Sequence, residues 1–120
     1  MSKVLLIEDS VSLLDLMDSY LREKGYTVIR LTDAKDALSK VVEQKPDVIV
    51  TDVVMPGVSG FELCRQLKNR PETANIPIVI CSSKNQEIDR LWGMKQGATA
   101  YLTKPFSKED FLRAVKLAVV

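Results

Sequence analysis

Apolar positions along this chain fall into short blocks separated by amphipathic stretches, and the two alternate five times. The first block is VLLIE, Val4 to Glu8. After it, Leu13, Leu14, Met17, Tyr20 and Leu21 recur at three- and four-residue spacing, which is one face of a helix. Gly25 is the expected cap at the end of that helix. TVIRL (Thr27 to Leu31) reads as a second strand, and Asp33 as the N-cap of a helix through Glu43. Pro46 separates that helix from a third strand, DVIVT. A fourth strand, IPIVICS, is expected from Ile76, and a fifth, ATAYLT, ends before Lys104. Further helices are predicted around Phe61–Arg70 and Gln86–Gln96. The last helix starts at Ser107, with Asp110 three residues on as a variant of the capping box, and runs to the C-terminus.

Strands alternating with helices of this length make βαβ units, so the fold class is α/β with a doubly wound parallel sheet covered on both faces. The first, third and fourth strands are apolar almost throughout, as central strands of such a sheet are. The second and fifth carry Arg30, Tyr101 and Thr103 and read as edges. No linker, repeat or low-complexity segment interrupts the pattern, and one domain over residues 1–120 is expected.

Composition narrows the function. Hydrophobic residues make up 46% and charged ones 28%, which fits a folded soluble protein and argues against disorder. The apolar runs are too short to span a bilayer. MSKVLLIEDS meets Glu8 and Asp9 before a signal-peptide core could develop, so a cytoplasmic location is expected. With 17 basic and 16 acidic residues the net charge is +1, which supplies no electrostatic reason to bind nucleic acid or an anionic membrane. Cys64 and Cys81 do not form C-x-x-C and there is no His, so the usual zinc ligand sets are missing. Two reduced thiols packing as small hydrophobes are the plainer reading. Without His, any imidazole chemistry must come from a partner.

Open α/β sheets bind ligands beyond the carboxyl ends of their strands. Here strand one ends in Glu8-Asp9, strand three in Asp52, strand four in Ser82-Ser83 and strand five in Lys104-Pro105. Two unit charges about 4 Å apart interact by roughly 4 kcal/mol at an effective dielectric of 20. Three convergent carboxylates therefore need a cation or must take up protons, and for a cation an all-oxygen set favours a hard ion such as Mg²⁺. Such an ion beside a hydroxyl (Ser82) and an ammonium (Lys104) makes a phosphoryl-transfer site, with Asp52 as nucleophile on a rigid buried strand. Taken singly these residues mean less. For Asp9 alone a helix N-cap is the simpler role, Ser82 alone is a strand-end hydroxyl, and Lys104 alone is a solvated tip. Their joint occurrence at four of five strand ends carries the reading. Asp15, Asp18, Asp36 and Asp89 are expected on solvated helix faces.

At these residues the chain resembles the response-regulator receiver domains, the CheY-like phosphoacceptor modules of two-component signalling. The resemblance covers essentially the whole chain. It rests on Glu8-Asp9, on T-D-x-x-M-P-G-x-x-G around Asp52, on Ser82, and on Y-L-T-K-P-F from Tyr101. It implies strand order 2-1-3-4-5 with five helices in the flavodoxin-like three-layer sandwich; that order is the family's own. It implies that Asp52 is phosphorylated and that Mg²⁺ is held by Glu8, Asp9, Asp52 and the backbone carbonyl of Val54. Lys104 would contact the phosphoryl group, next to a cis bond to Pro105. Ser82 and Tyr101 would be the switch pair, although Tyr101 alone fits equally well as an edge-strand aromatic packed on a helix.

The implied partners are a sensor histidine kinase or phosphotransfer protein and an effector docking on the face made by helix four, strand five and helix five. The protein would then be no enzyme toward a separate substrate, only the catalyst of its own phosphorylation and dephosphorylation. The run from Glu87 to Pro105 also resembles single-domain regulators of type IV pilus and twitching motility, the PilH kind.

Several positions depart from the family pattern. Glu8 replaces the commoner Asp, Ser82 stands where Thr is usual, Ser83 where Ala is common, and Val54 and Lys84 occupy positions that tune the life of the phosphoryl group. Trp92 is expected to face the core. Two other function classes stay in view: a degenerate receiver acting as a constitutive docking module, and an aspartyl-phosphate phosphatase. The phosphatase would usually carry a second acid at Val54. An FMN-binding protein would want a Ser/Thr/Gly-rich loop where Glu8-Asp9-Ser10-Val11 stands. The last helix ends near Val120 and no output domain is visible, so a stand-alone regulator and a fragment of a longer chain both remain open.

Overall fold

The computed structural model describes residues 2–119. Five strands and five helices alternate: β1 (Lys3–Ile7), α1 (Val11–Glu23), β2 (Thr27–Leu31), α2 (Ala37–Gln44), β3 (Val48–Thr51), α3 (Gly60–Lys68), β4 (Ile78–Ser82), α4 (Glu87–Lys95), β5 (Ala100–Thr103) and α5 (Lys108–Val119). All strand pairs are parallel, in order β2-β1-β3-β4-β5. Both the fold class and the strand order match the expectation, and β2 and β5 are the edges.

The alternation of side chains along each strand splits the core in two. Leu5, Ile7, Ile49, Ile78 and Ile80 face one side and pack with Val41 of α2 and Leu63, Cys64 and Leu67 of α3. Val4, Leu6, Val48, Val50, Val79 and Cys81 face the other and pack with Leu14, Met17 and Leu21 of α1 and Phe111 and Val115 of α5. Tyr101 of β5 belongs to the first layer. Both cysteines are free and buried, as read from composition. Among the described residues no helix is long and apolar enough to cross a membrane.

Four local expectations are corrected. Asp33 does not cap α2: its Oδ1 accepts the Lys35 N–H at 2.9 Å in a turn of its own, and the helix begins only at Ala37. β4 starts at Ile78 and not Ile76, because Pro77 gives its carbonyl to the Ile49 N–H (2.9 Å) but has no N–H to return. Asp18 is buried. Its carboxylate accepts from Arg22 Nε at 2.6 Å and Arg30 Nη1 at 2.9 Å, so the edge-strand arginine draws the acid inward. Arg30 also pairs with Asp15, and Asp89 closes the capping box of α4 by accepting the Gln86 N–H. Trp92 is 46% exposed, because the side of α4 that meets the sheet is occupied by Gly93 instead. The Ser107 cap holds as expected, its Oγ accepting the Asp110 N–H at 3.0 Å.

Candidate phosphoacceptor site

β1 and β3 are neighbours in register, Ile7 beside Thr51, so their tips deliver Glu8, Asp9 and Asp52 side by side. The Glu8 N–H donates to Leu31 O (3.0 Å) and the Asp52 N–H to Ile7 O (3.2 Å), which fixes both tips to adjacent strands. Ser10 caps α1, its Oγ accepting the Leu13 N–H, and so Asp9 is left free of the capping role. Ligand oxygens of Glu8, Asp9 and Asp52 lie within 4.8 Å of one another. Glu8 and Asp52 are buried and Asp9 is exposed.

Lys104 reaches this cluster from the tip of β5. Its Nζ donates to Glu8 Oε1 at 2.6 Å and to Asp52 Oδ2 at 2.9 Å, and the Lys104–Pro105 peptide is cis. Burial lifts the Glu8 carboxyl above the ordinary carboxylate range, with the Lys104 ammonium pulling the other way. Burial works against the Lys104 charge, but bonds to Glu8 and Asp52 outweigh it and hold the ammonium above the usual lysine value. One ammonium against three carboxylates leaves excess negative charge that a hard, oxygen-seeking divalent cation would neutralise.

The Asp52 loop is itself tightly held. Asp52 Oδ1 accepts the Val53 N–H at 2.6 Å, and the Gly60 N–H donates to Val53 O at 2.8 Å. The second glycine of the T-D-x-x-M-P-G-x-x-G segment explains itself here: a Cβ on Gly60 would stand 2.0 Å from the Asp52 carbonyl oxygen. Only glycine lets α3 begin against the backbone of the central acid. Val54, two residues past Asp52, has its side chain exposed.

Ser82 and Tyr101 are not hydrogen-bonded to the acids. The buried Ser82 Oγ accepts the Lys84 N–H at 3.2 Å, while the Tyr101 hydroxyl donates to Lys84 O at 2.7 Å. The two hydroxyls thus hold opposite sides of one residue, a link through Lys84 that sequence reasoning missed, since any residue offers the same backbone groups. Tyr101 is turned inward at 6% exposure, and burial raises its phenol above the ordinary value.

Residues 4–116 match the response regulator receiver domain family. The chain is 37% identical over 115 residues to Protein PilH of Pseudomonas aeruginosa, covering 96% of this chain and 95% of that one. Among solved structures it is similar to the chemotaxis response regulator CheY4 of Vibrio cholerae, at TM-score 0.92 and 31% identity over 98% of each chain. The receiver domain of a Francisella response regulator gives TM-score 0.92 at 29% identity, covering 99% of this chain and 97% of that one.

Proposed function

This chain belongs to the response regulator receiver domain family of two-component signalling, and on that footing we propose that Asp52 is its phosphoacceptor. One observation carries the reading: Lys104 reaches across from β5 to bond Asp52 and Glu8 together, inside a cluster of three carboxylates at the carboxyl edge of the sheet. As membership of the receiver family implies, the donor is a phosphohistidine on a sensor kinase or phosphotransfer protein, which supplies the imidazole this chain lacks. Beside Lys104 an open groove of about 360 Å³, lined by Leu13, Leu16, Tyr20 and Phe106, offers such a partner an apolar face.

The Asp52 carboxylate attacks phosphorus, and an O–P bond forms as the N–P bond breaks. The departing imidazole nitrogen keeps the bonding pair and is protonated from water. Glu8, Asp9, Asp52 and the Val54 carbonyl would hold Mg²⁺, which when bound supplies charge neutralisation at the phosphoryl oxygens. Lys104, already 2.9 Å from Asp52 Oδ2, pairs with the oxygens of the transferred group. Ser82 turns its hydroxyl from the Lys84 N–H to the phosphoryl group, and with Tyr101 this resets the surface made by α4, β5 and α5. An effector protein reads that surface. The protein is not an enzyme toward another substrate; it catalyses transfer to itself and the later loss of the group. The resemblance to PilH-type regulators supports a role in motility driven by type IV pili, and a cytoplasmic location is consistent with a receiver served by a sensor kinase.

Intact-mass measurement after incubation with acetyl phosphate and Mg²⁺ tests this. One phosphoryl group should be gained by the native chain and none by Asp52→Asn or in the presence of a chelator. Labelling that survives Asp52→Asn sinks the assignment, and an inert native chain favours a constitutive docking module.

A further inference from the structure

Helix α4 meets the sheet differently from the other helices. Gly93 is its buried residue, while Ile88, Leu91, Trp92 and Met94 are all exposed. α1, α3 and α5 each set bulky apolar side chains into the core instead. Glycine is the poorest helix former after proline, so its place in the middle of α4 needs a reason. A Cβ at position 93 would lie 3.0 Å from Cδ2 of Tyr101, 3.3 Å from Cδ1 of Ile80 and 3.3 Å from Cε1 of Phe61. The Tyr101 ring therefore lies directly against the helix backbone. Its hydroxyl is anchored to Lys84 O, three residues before α4 begins. One aromatic side chain thus touches both the approach to α4 and its midpoint.

We propose that Gly93 is a positioning residue for the switch: its bare Cα is the seat of the inward Tyr101 ring, and through that contact the ring sets where α4 carries Ile88, Leu91, Trp92 and Met94. A ring that leaves the seat removes the surface on which α4 rests. A side chain at 93 keeps the ring out whatever the state of Asp52. The role in signalling rests on the phosphoacceptor reading given above, whereas the contact itself can be tested apart from it.

In an ordinary helix interior Gly→Ala raises stability. Here Gly93→Ala should lower the urea midpoint of the otherwise native chain and raise it in a Tyr101→Ala background. A loss of folding that Tyr101→Ala repairs counts the same way. A midpoint raised in both backgrounds, or lowered equally in both, overturns the seat, because coupled neighbours are non-additive and uncoupled ones are not. The second measurement uses Trp92, the single tryptophan, next to Gly93 on α4. Acetyl phosphate with Mg²⁺ should still add one phosphoryl group to Gly93→Ala, while the accompanying change in Trp92 emission falls several-fold below that of the native chain. An undiminished emission change overturns the role in transmission. If the native chain takes no label, the phosphoacceptor reading fails, and the midpoint comparison still decides whether Gly93 seats the ring.

Discussion

Replacing Lys104 with Met keeps an unbranched apolar stem of similar reach and deletes the ammonium. The charge lost is bonded at 2.6 Å to Glu8 and at 2.9 Å to Asp52, with side-chain exposures of 16%, 2% and 11% for Lys104, Glu8 and Asp52. Removing one partner of a buried ion pair costs about 3–5 kcal/mol, because the other charge stays behind uncompensated. The partial access of Lys104 and Asp52 to water places this case at the lower end, about 3 kcal/mol. Protonation limits the cost as well, since burial already lifts Glu8 toward its neutral form. In a domain of this size 1 kcal/mol moves the melting temperature by roughly 3–5 °C, so a fall on the order of 10 °C is expected. Calorimetry at pH 7 with a chelator present measures it. Added Mg²⁺ should then stabilise the variant more than the native chain, because the deeper negative charge binds a cation more tightly and ligand bound only to the folded state raises stability. A loss under about 1 kcal/mol would put Lys104 among ordinary exposed ion pairs and refute the reasoning.

Gly60→Ala forces a Cβ against the Asp52 carbonyl, a backbone atom that has little room to yield, and should cost about 3 kcal/mol in urea unfolding; a neutral outcome contradicts the close approach. Val54→Asn places an amide beside the acyl phosphate, where it can orient water, and should speed loss of the phosphoryl group as followed by intact mass. An unchanged or slower rate refutes the expectation that the apolar Val54 side chain leaves the attacking water unoriented. Burial pushes the Cys64 thiol from 9.0 up to about 11, so the folded chain keeps that proton while the unfolded chain releases it. The unfolded state then binds fewer protons, and stability should fall as pH rises from 9 toward 11, by at most about 1.4 kcal/mol per pH unit for this thiol. Urea midpoints at pH 8.5 and 10.5 read the slope, which Cys64→Ala should flatten; equal slopes would contradict the burial argument.

The strands were legible because parallel strands buried on both faces must be continuously apolar, and β1, β3 and β4 are. Their tips were legible for the same reason: Glu8-Asp9 and Asp52 end the runs of β1 and β3 with charge, Lys104 follows the edge strand β5, and the structure gathers all four. What escaped depends on pairs that only the tertiary fold brings together. Asp18 reads as a solvated acid until Arg30, twelve residues on, is placed beside it by β2. Trp92, four residues after Ile88, reads as a core-facing anchor, yet both are exposed and Gly93 is the residue of α4 that is buried. Gly93 carries no chemistry of its own, and its packing role appears only with the aromatic ring against it. The boundaries at Asp33 and Ile76 slipped for local reasons, a competing side-chain turn and a proline that cannot join the ladder.

Because alternate residues of each strand serve separate layers, a side chain on one face can be exchanged without touching the packing on the other. The Tyr101 ring lies in the layer of α2 and α3, whereas Leu14, Met17 and Leu21 hold α1 on the opposite face. A lineage could therefore adapt such a protein to heat through Leu14, Met17 and Leu21 while the seat of the ring at Gly93 stays as it is.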